Sequence, residues 1–141
     1  MSTEANKAFV RRFFEELFNK RHLALAGELM APEAISHAAP PGTVDGPDGI
    51  MQVVTMLSSA FPDQHTTIED VIAEGDKVVV SATFSGTHQG TFLGIPPTGK
   101  HFSQRQIHIL RITDGKVAEH WAVMDDLAML RQLGLAPTPG R

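Results

Sequence analysis

Apolar residues recur at three- and four-residue steps in the first part of the chain and at alternate positions after Pro62, so helices come first and strands follow. Phe9, Val10, Phe13, Phe14, Leu17 and Phe18 make a wide apolar helical face, with Arg11, Arg12, Glu15, Glu16 and Lys20 opposite. Ser2 or Thr3 can cap this helix, expected near 4–20. A second helix near 23–30 buries Leu23, Ala26, Leu29 and Met30, and Pro32 ends it. Ala34 to His37 is a short extended piece before the loop Pro40 to Gly46. Pro47 suits the first position of a third helix near 47–61, with Ile50, Val53, Val54 and Leu57 on its buried face.

Strands are expected near 66–74, 77–88, 100–113 and 116–124, joined by turns at Glu74-Gly75-Asp76 and Asp114-Gly115. In the first, Thr66, Ile68, Asp70 and Ile72 oppose Thr67, Glu69, Val71 and Ala73. In the third, Phe102, Gln104, Gln106, His108 and Leu110 share one face, and His101, Ser103, Arg105, Ile107, Ile109 and Arg111 the other. In the last, Val117, Glu119, Trp121, Val123 and Asp125 fall together, opposite Ala118, His120, Ala122 and Met124. A final helix near 126–133 ends at Gly134, and a fraying tail is expected over 136–141. This order predicts an α+β fold, a curved antiparallel sheet with helices on one face and a cone-shaped space between them.

With 141 residues, one domain over 1–135 is expected, burying roughly 68–70% of its unfolded surface, enough for a core and a small cavity. The net charge of -4, without blocks of like charge, gives no basic stripe for nucleic acid. The chain has no cysteine, which excludes disulfide and thiolate chemistry. Its first six residues are too polar for a secretory signal, and no apolar run approaches membrane-spanning length, so a cytoplasmic protein is the expectation.

The candidate chemistry gathers at the end of the last strand. Asp125 lies four residues past the only tryptophan, where a helix begins. A carboxylate buried on that face would have its pKa raised by desolvation and suit a general base; equally, aspartate is a preferred N-cap. Asp126, in the first helical turn, is expected to be solvated. The polar row Gln104, Gln106 and His108 suits either hydrogen bonding to a ligand or a solvated sheet face. His37 and His88 are loop histidines with nothing local to single them out. No histidine pair has helical ligand spacing, so no metal site is expected, and neither a phosphate loop nor a nucleophile elbow occurs.

Phe61-Pro62-Asp63, Ala73 to Val78, Gly86-Thr87-His88-Gln89-Gly90, Phe92 to Gly99, Asp114 to Trp121 and Leu130 to Gly134 occur in the order that resembles the SnoaL-like polyketide cyclase family of the NTF2-like superfamily. The resemblance spans about Glu4 to Leu135. It implies a cone-shaped barrel with a blind apolar cavity, and a cofactor-free intramolecular aldol closure in which a strand-end aspartate removes a proton α to a carbonyl. By position that residue would be Asp125. Gln104, Gln106, His108, Trp121, Phe14 and His88 would contact a small hydrophobic, polyketide-like substrate, with His37 at the cavity mouth. Some cyclases of the family place a tyrosine near the substrate; this chain has none, and Phe9, Phe13 or Phe14 is available to fill that space.

Two other functions fit the same cavity: a protein that binds an apolar small molecule without converting it, and a hydrolase or hydroxylase using the same acid. A homodimer or dimer of dimers is also expected, because Ile107 and Ile109 on one strand and Ala118, Ala122 and Met124 on the next would form an apolar outer face needing a partner.

Overall fold

A computed structural model describes residues 2–137; most of the tail expected to fray lies outside them. Helix α1, Thr3–Phe13, starts on Ser2, whose Oγ accepts the amide of Ala5 at 3.1 Å. It runs into a π-helical turn, Phe14–Asn19, closed by Lys20 N–H on the Glu15 carbonyl at 2.9 Å. The wider turn lets consecutive Phe13 and Phe14 both be buried, together with Val10 and Leu17. At its end the Asn19 side-chain amide pairs with the β-strand backbone, accepting Thr66 N–H at 2.7 Å and donating to Thr66 O at 2.9 Å. The expected second helix is shorter, a 3₁₀ turn at Leu23–Leu25 and α2 at Ala26–Leu29.

The chain then enters a strand absent from the expected set, β1, Met30–Ser36. Helix α3, Gly46–Ala60, follows, and then β2 His65–Glu74, β3 Lys77–Thr87, β4 His101–Thr113, β5 Lys116–Met124 and α4 Asp126–Gln132. The five strands form one sheet in the order β1-β5-β4-β3-β2. β1 pairs parallel to β5, and all other pairings are antiparallel. As an edge strand, β1 tolerates the exposed Pro32 that otherwise marks a break.

Two bulges decide which side chains face inward. In β2 the register moves from Ile68↔Ala82 to Asp70↔Ser81, so Glu69 is extra. Val71 is buried and Ile72 is 60% exposed, while Thr66 is buried, so the strand changes sides partway along. In β5 the register moves from Arg111↔Glu119 to Ile112↔Val117, so Ala118 is extra. Val117 is therefore buried on the inner face although Glu119, Trp121 and Val123 point outward. Each extra residue bends its strand and adds twist, which suits a sheet that curves without closing.

The concave face carries the core. Val10, Phe14 and Leu17 pack on Val78, Val80 and Leu110, while Phe61, Phe84, Phe102, Met129 and Leu133 form a second cluster toward α4. The loop from Gly86 to Gly99 closes that end. His88 lies inside it, fully buried, with Nδ1 accepting the Thr98 amide at 3.2 Å.

Candidate active site

Between sheet and helices lies a cavity of about 370 Å³, within the range of small-molecule sites. Phe14, Phe61, Phe84, Met124 and Met129 supply much of its apolar wall. Polar groups enter from Ser36 on β1, Gln104, Gln106 and His108 on β4, His120 on β5 and Asp126 at the start of α4. Among the described residues that line it there is no lysine or arginine, and Asp126 is the single carboxylate.

These polar groups are joined end to end. Gln104 Nε2 donates to Asp126 Oδ1 at 2.9 Å, and Gln106 Nε2 donates to Gln104 Oε1 at 2.8 Å. Gln106 Oε1 faces His108 Nε2 at 2.7 Å, His108 Nδ1 faces His120 Nε2 at 2.8 Å, and His120 Nδ1 faces Ser36 Oγ at 2.8 Å. Alternate residues of one strand are stacked along one face, which is why β4 can supply three links in succession. Burial, reinforced by the proximity of His120, holds the His108 pKa down at about 3. Burial and the charge of His37 hold His120 at about 4. Both rings are consequently neutral near pH 7, each with one N–H and one lone pair. The edge of Phe14 packs against His108, with ring centroids 5.0 Å apart.

The row Gln104, Gln106 and His108 thus faces the cavity, and so does Phe14. Four other sequence-based positions change. Asp125 shares a face with Trp121 and Val123, as strand parity requires, but that face is the outer one, where Val123 is 77% exposed. The Asp125 carboxylate is exposed and caps α4, accepting the Ala128 amide at 3.0 Å, so the burial expected of it is not there. Its neighbour Asp126 is exposed as well, as expected, but stands on the cavity side and accepts from Gln104 there. Trp121 is half-buried outside, stacked on His37 with ring centroids 5.3 Å apart and 16° between planes. His37 is thereby removed from the cavity mouth; its Nε2 lies 2.6 Å from Glu119, which also takes Arg111 at 3.2 Å. The hydrogen bond from His37, with that from Arg111, holds the Glu119 carboxyl below its ordinary range. His88 holds the loop rather than lining the cavity.

Ser36, His120 and Asp126 line the cavity although pattern alone did not place them there. All three depend on β1 joining the sheet and on the bulge at Ala118, which puts His120 opposite Leu110 and beside Ser36 on the inner face.

A curved sheet, helices on its concave side and a cavity with a polar floor between them describe a cyclase-type enzyme. The chain belongs to the SnoaL-like polyketide cyclase family, whose pattern matches residues 8–133. It is similar to aklanonic acid methyl ester cyclase DnrD of Streptomyces peucetius, 36% identical over 114 residues that make up 79% of this chain and 77% of that one. Nogalonic acid methyl ester cyclase of Streptomyces nogalater is 33% identical over 108 residues, 76% of this chain and 78% of its own. Among solved structures, TsrD from Streptomyces laurentii superposes with a TM-score of 0.87 at 32% identity, covering 96% of this chain and 99% of TsrD.

Proposed function

We propose that this polyketide cyclase closes a ring in a neutral polyketide ester by intramolecular aldol addition, with Asp126 rather than Asp125 as the acid–base residue. The observation that carries this reading is the Asp126 carboxylate at the solvent-exposed edge of the apolar cavity, one oxygen held by Gln104 and Oδ2 without a partner among the described residues. Oδ2 takes a proton from the carbon α to a carbonyl, leaving an enolate. That carbon attacks a second carbonyl of the same molecule, one C–C bond forms, and the resulting alkoxide recovers the proton from Asp126. Product and substrate are isomers, and no group leaves. Positioned acid–base catalysis contributes about 10²–10⁴-fold, and holding the two carbonyls together in the cavity contributes the rest. Gln106 has a second N–H not used by Gln104, available to the enolate oxygen.

The charge of the substrate follows from the lining. With no cation among the described lining residues, two neutral imidazoles and one carboxylate, a substrate bearing a free carboxylate would be desolvated without a partner. An ester avoids that cost, and DnrD and the nogalonic enzyme are both named as methyl ester cyclases. The test offers the purified protein an aromatic polyketide methyl ester and the matching free acid. Conversion of the ester to an isomer of unchanged mass, lost in Asp126→Asn, is expected. Loss of the methyl group would mean a hydrolase, gain of oxygen a hydroxylase, and retention without conversion a carrier.

A further inference from the structure

The row of hydrogen bonds on the cavity floor has a direction, set at its Asp126 end. There Asp126 Oδ1 accepts, so Gln104 must turn its NH₂ toward it. Gln104 Oε1 is then left facing Gln106, which must donate, and Gln106 Oε1 in turn requires a hydrogen on His108 Nε2. His108 then presents a lone pair at Nδ1, and His120 Nε2 must carry its hydrogen toward it. That leaves His120 Nδ1 as an acceptor, to be met by the Ser36 hydroxyl hydrogen. At this far end the Ala38 backbone N–H donates to Ser36 Oγ at 3.3 Å, which leaves the hydroxyl hydrogen free to meet His120. No link in the row lacks a donor or duplicates one.

Resting on the reading of Asp126 as the acid–base residue, we propose that Ser36 and His120 are positioning residues for it: they anchor the far end of the row, hold the His108 ring and both glutamine amides in line, and so hold Asp126 Oδ1 while Oδ2 carries the proton. Neither touches Asp126. Each acts by holding the next group in its orientation. With Ser36 shortened, His120 Nδ1 keeps its lone pair but loses the partner that fixes the tilt of the ring. The bond from His120 Nε2 to His108 Nδ1 is then no longer held in line, and the amides beyond lose their anchor. The row keeps its direction when Asp126 is protonated at Oδ2, because Oδ1 still accepts, so the carboxyl stays in place through the cycle.

The test is ¹⁵N NMR of histidine-labelled protein without substrate, beside hydrogen–deuterium exchange at the α-carbon of methyl benzoylacetate. Wild type should show His108 and His120 as neutral Nε2–H tautomers. Ser36→Ala should keep both tautomers, move the His120 Nδ1 resonance through loss of its hydrogen bond, and lower the maximal exchange rate by about 10-fold, the size of one such hydrogen bond, with little change in KM. Ser36→Thr should restore both. An Nδ1–H tautomer in wild type, or a Ser36→Ala protein unchanged in His120 resonance and rate, would overturn the proposal. Asp126→Asn separates the two readings. Exchange lost there but untouched by Ser36→Ala overturns the positioning role alone; exchange persisting in Asp126→Asn overturns the acid–base reading and the positioning role with it.

Discussion

His108 and His120 stand side by side across β4 and β5, Nδ1 to Nε2 at 2.8 Å, with ring centroids 5.1 Å apart and planes 21° from parallel. Their closeness is compatible with burial because neither ring is charged. The ordinary imidazole pKa of 6.5 falls to about 3 in His108 and about 4 in His120, in both mainly through burial.

This makes the fold acid-sensitive in a defined window. As pH falls through 6.5, the unfolded chain takes up protons on both rings while the folded chain does not until about 4 and about 3. Stability from this pair is therefore complete above the unfolded value and lost on acidification, by about 1.4 kcal/mol per pH unit for each ring. Melting temperatures between about pH 7 and pH 5 should fall steeply, and His108→Gln should reduce the slope. A slope unaltered by that substitution would remove the pair as its cause.

The adjacent aspartates should separate cleanly. Asp126→Asn is expected to keep the fold and reduce ring closure by about 10²–10⁴-fold. Asp125→Ala removes the α4 cap and should cost about 1 kcal/mol of stability while turnover per folded molecule is kept. Thermal denaturation and steady-state kinetics on both variants decide it; the opposite pattern would return the acid–base role to Asp125.

The outer sheet face yields a further expectation. Ile107 is 46% and Val123 77% exposed, and they pair across β4 and β5, next to Ile109 and Trp121. Ala122 and Met124, expected on this face, lie on the inner side with His120. We propose that a second copy covers the Ile107–Val123 patch. Sedimentation at high micromolar concentration should show a dimer in wild type and a monomer in Val123→Glu, with Trp121 emission moving to the red in the variant. A wild-type monomer would contradict it.

Glycine substitutions report on how tightly the loop before α3 is seated. A β-carbon at Gly49 would stand 1.9 Å from the Val44 carbonyl oxygen, whereas one at Gly27 would meet nothing within 4 Å. Gly49→Ala should destabilise by about 1–3 kcal/mol or more, while Gly27→Ala in α2 should be neutral or gain a few tenths of that. Urea denaturation of the two side by side is the measurement.

Helices α1, α3 and α4, the four long strands and the inner row of β4 were legible from periodicity, which in β3 and β4 runs without interruption. The long run from His101 to Thr113 alternates buried and less buried without a slip. What pattern alone could not supply were the extra residues Glu69 and Ala118 and the joining of Met30–Ser36 to the sheet. A bulge leaves no mark in hydrophobic alternation when the residue inserted is as small and neutral as Ala118, so parity counted from Val117 and parity counted from Trp121 disagree. β1 is hidden by Pro32 and by being seven residues long. The β4 row was consequently expected on the face it occupies, and Asp125 was expected inward where it is exposed and caps α4.

The extra residue at Ala118 makes facing in β5 a question of ordinal count rather than of chemical identity. Remove it, with every other residue unchanged, and Val117 and Glu119 become neighbours opposite Ile112 and Arg111 in a regular ladder, with His120 still inward and Trp121 still outward. A residue lost elsewhere between Glu119 and Met124 has no such slack to draw on, and would send the residues on one side of the loss to the opposite face.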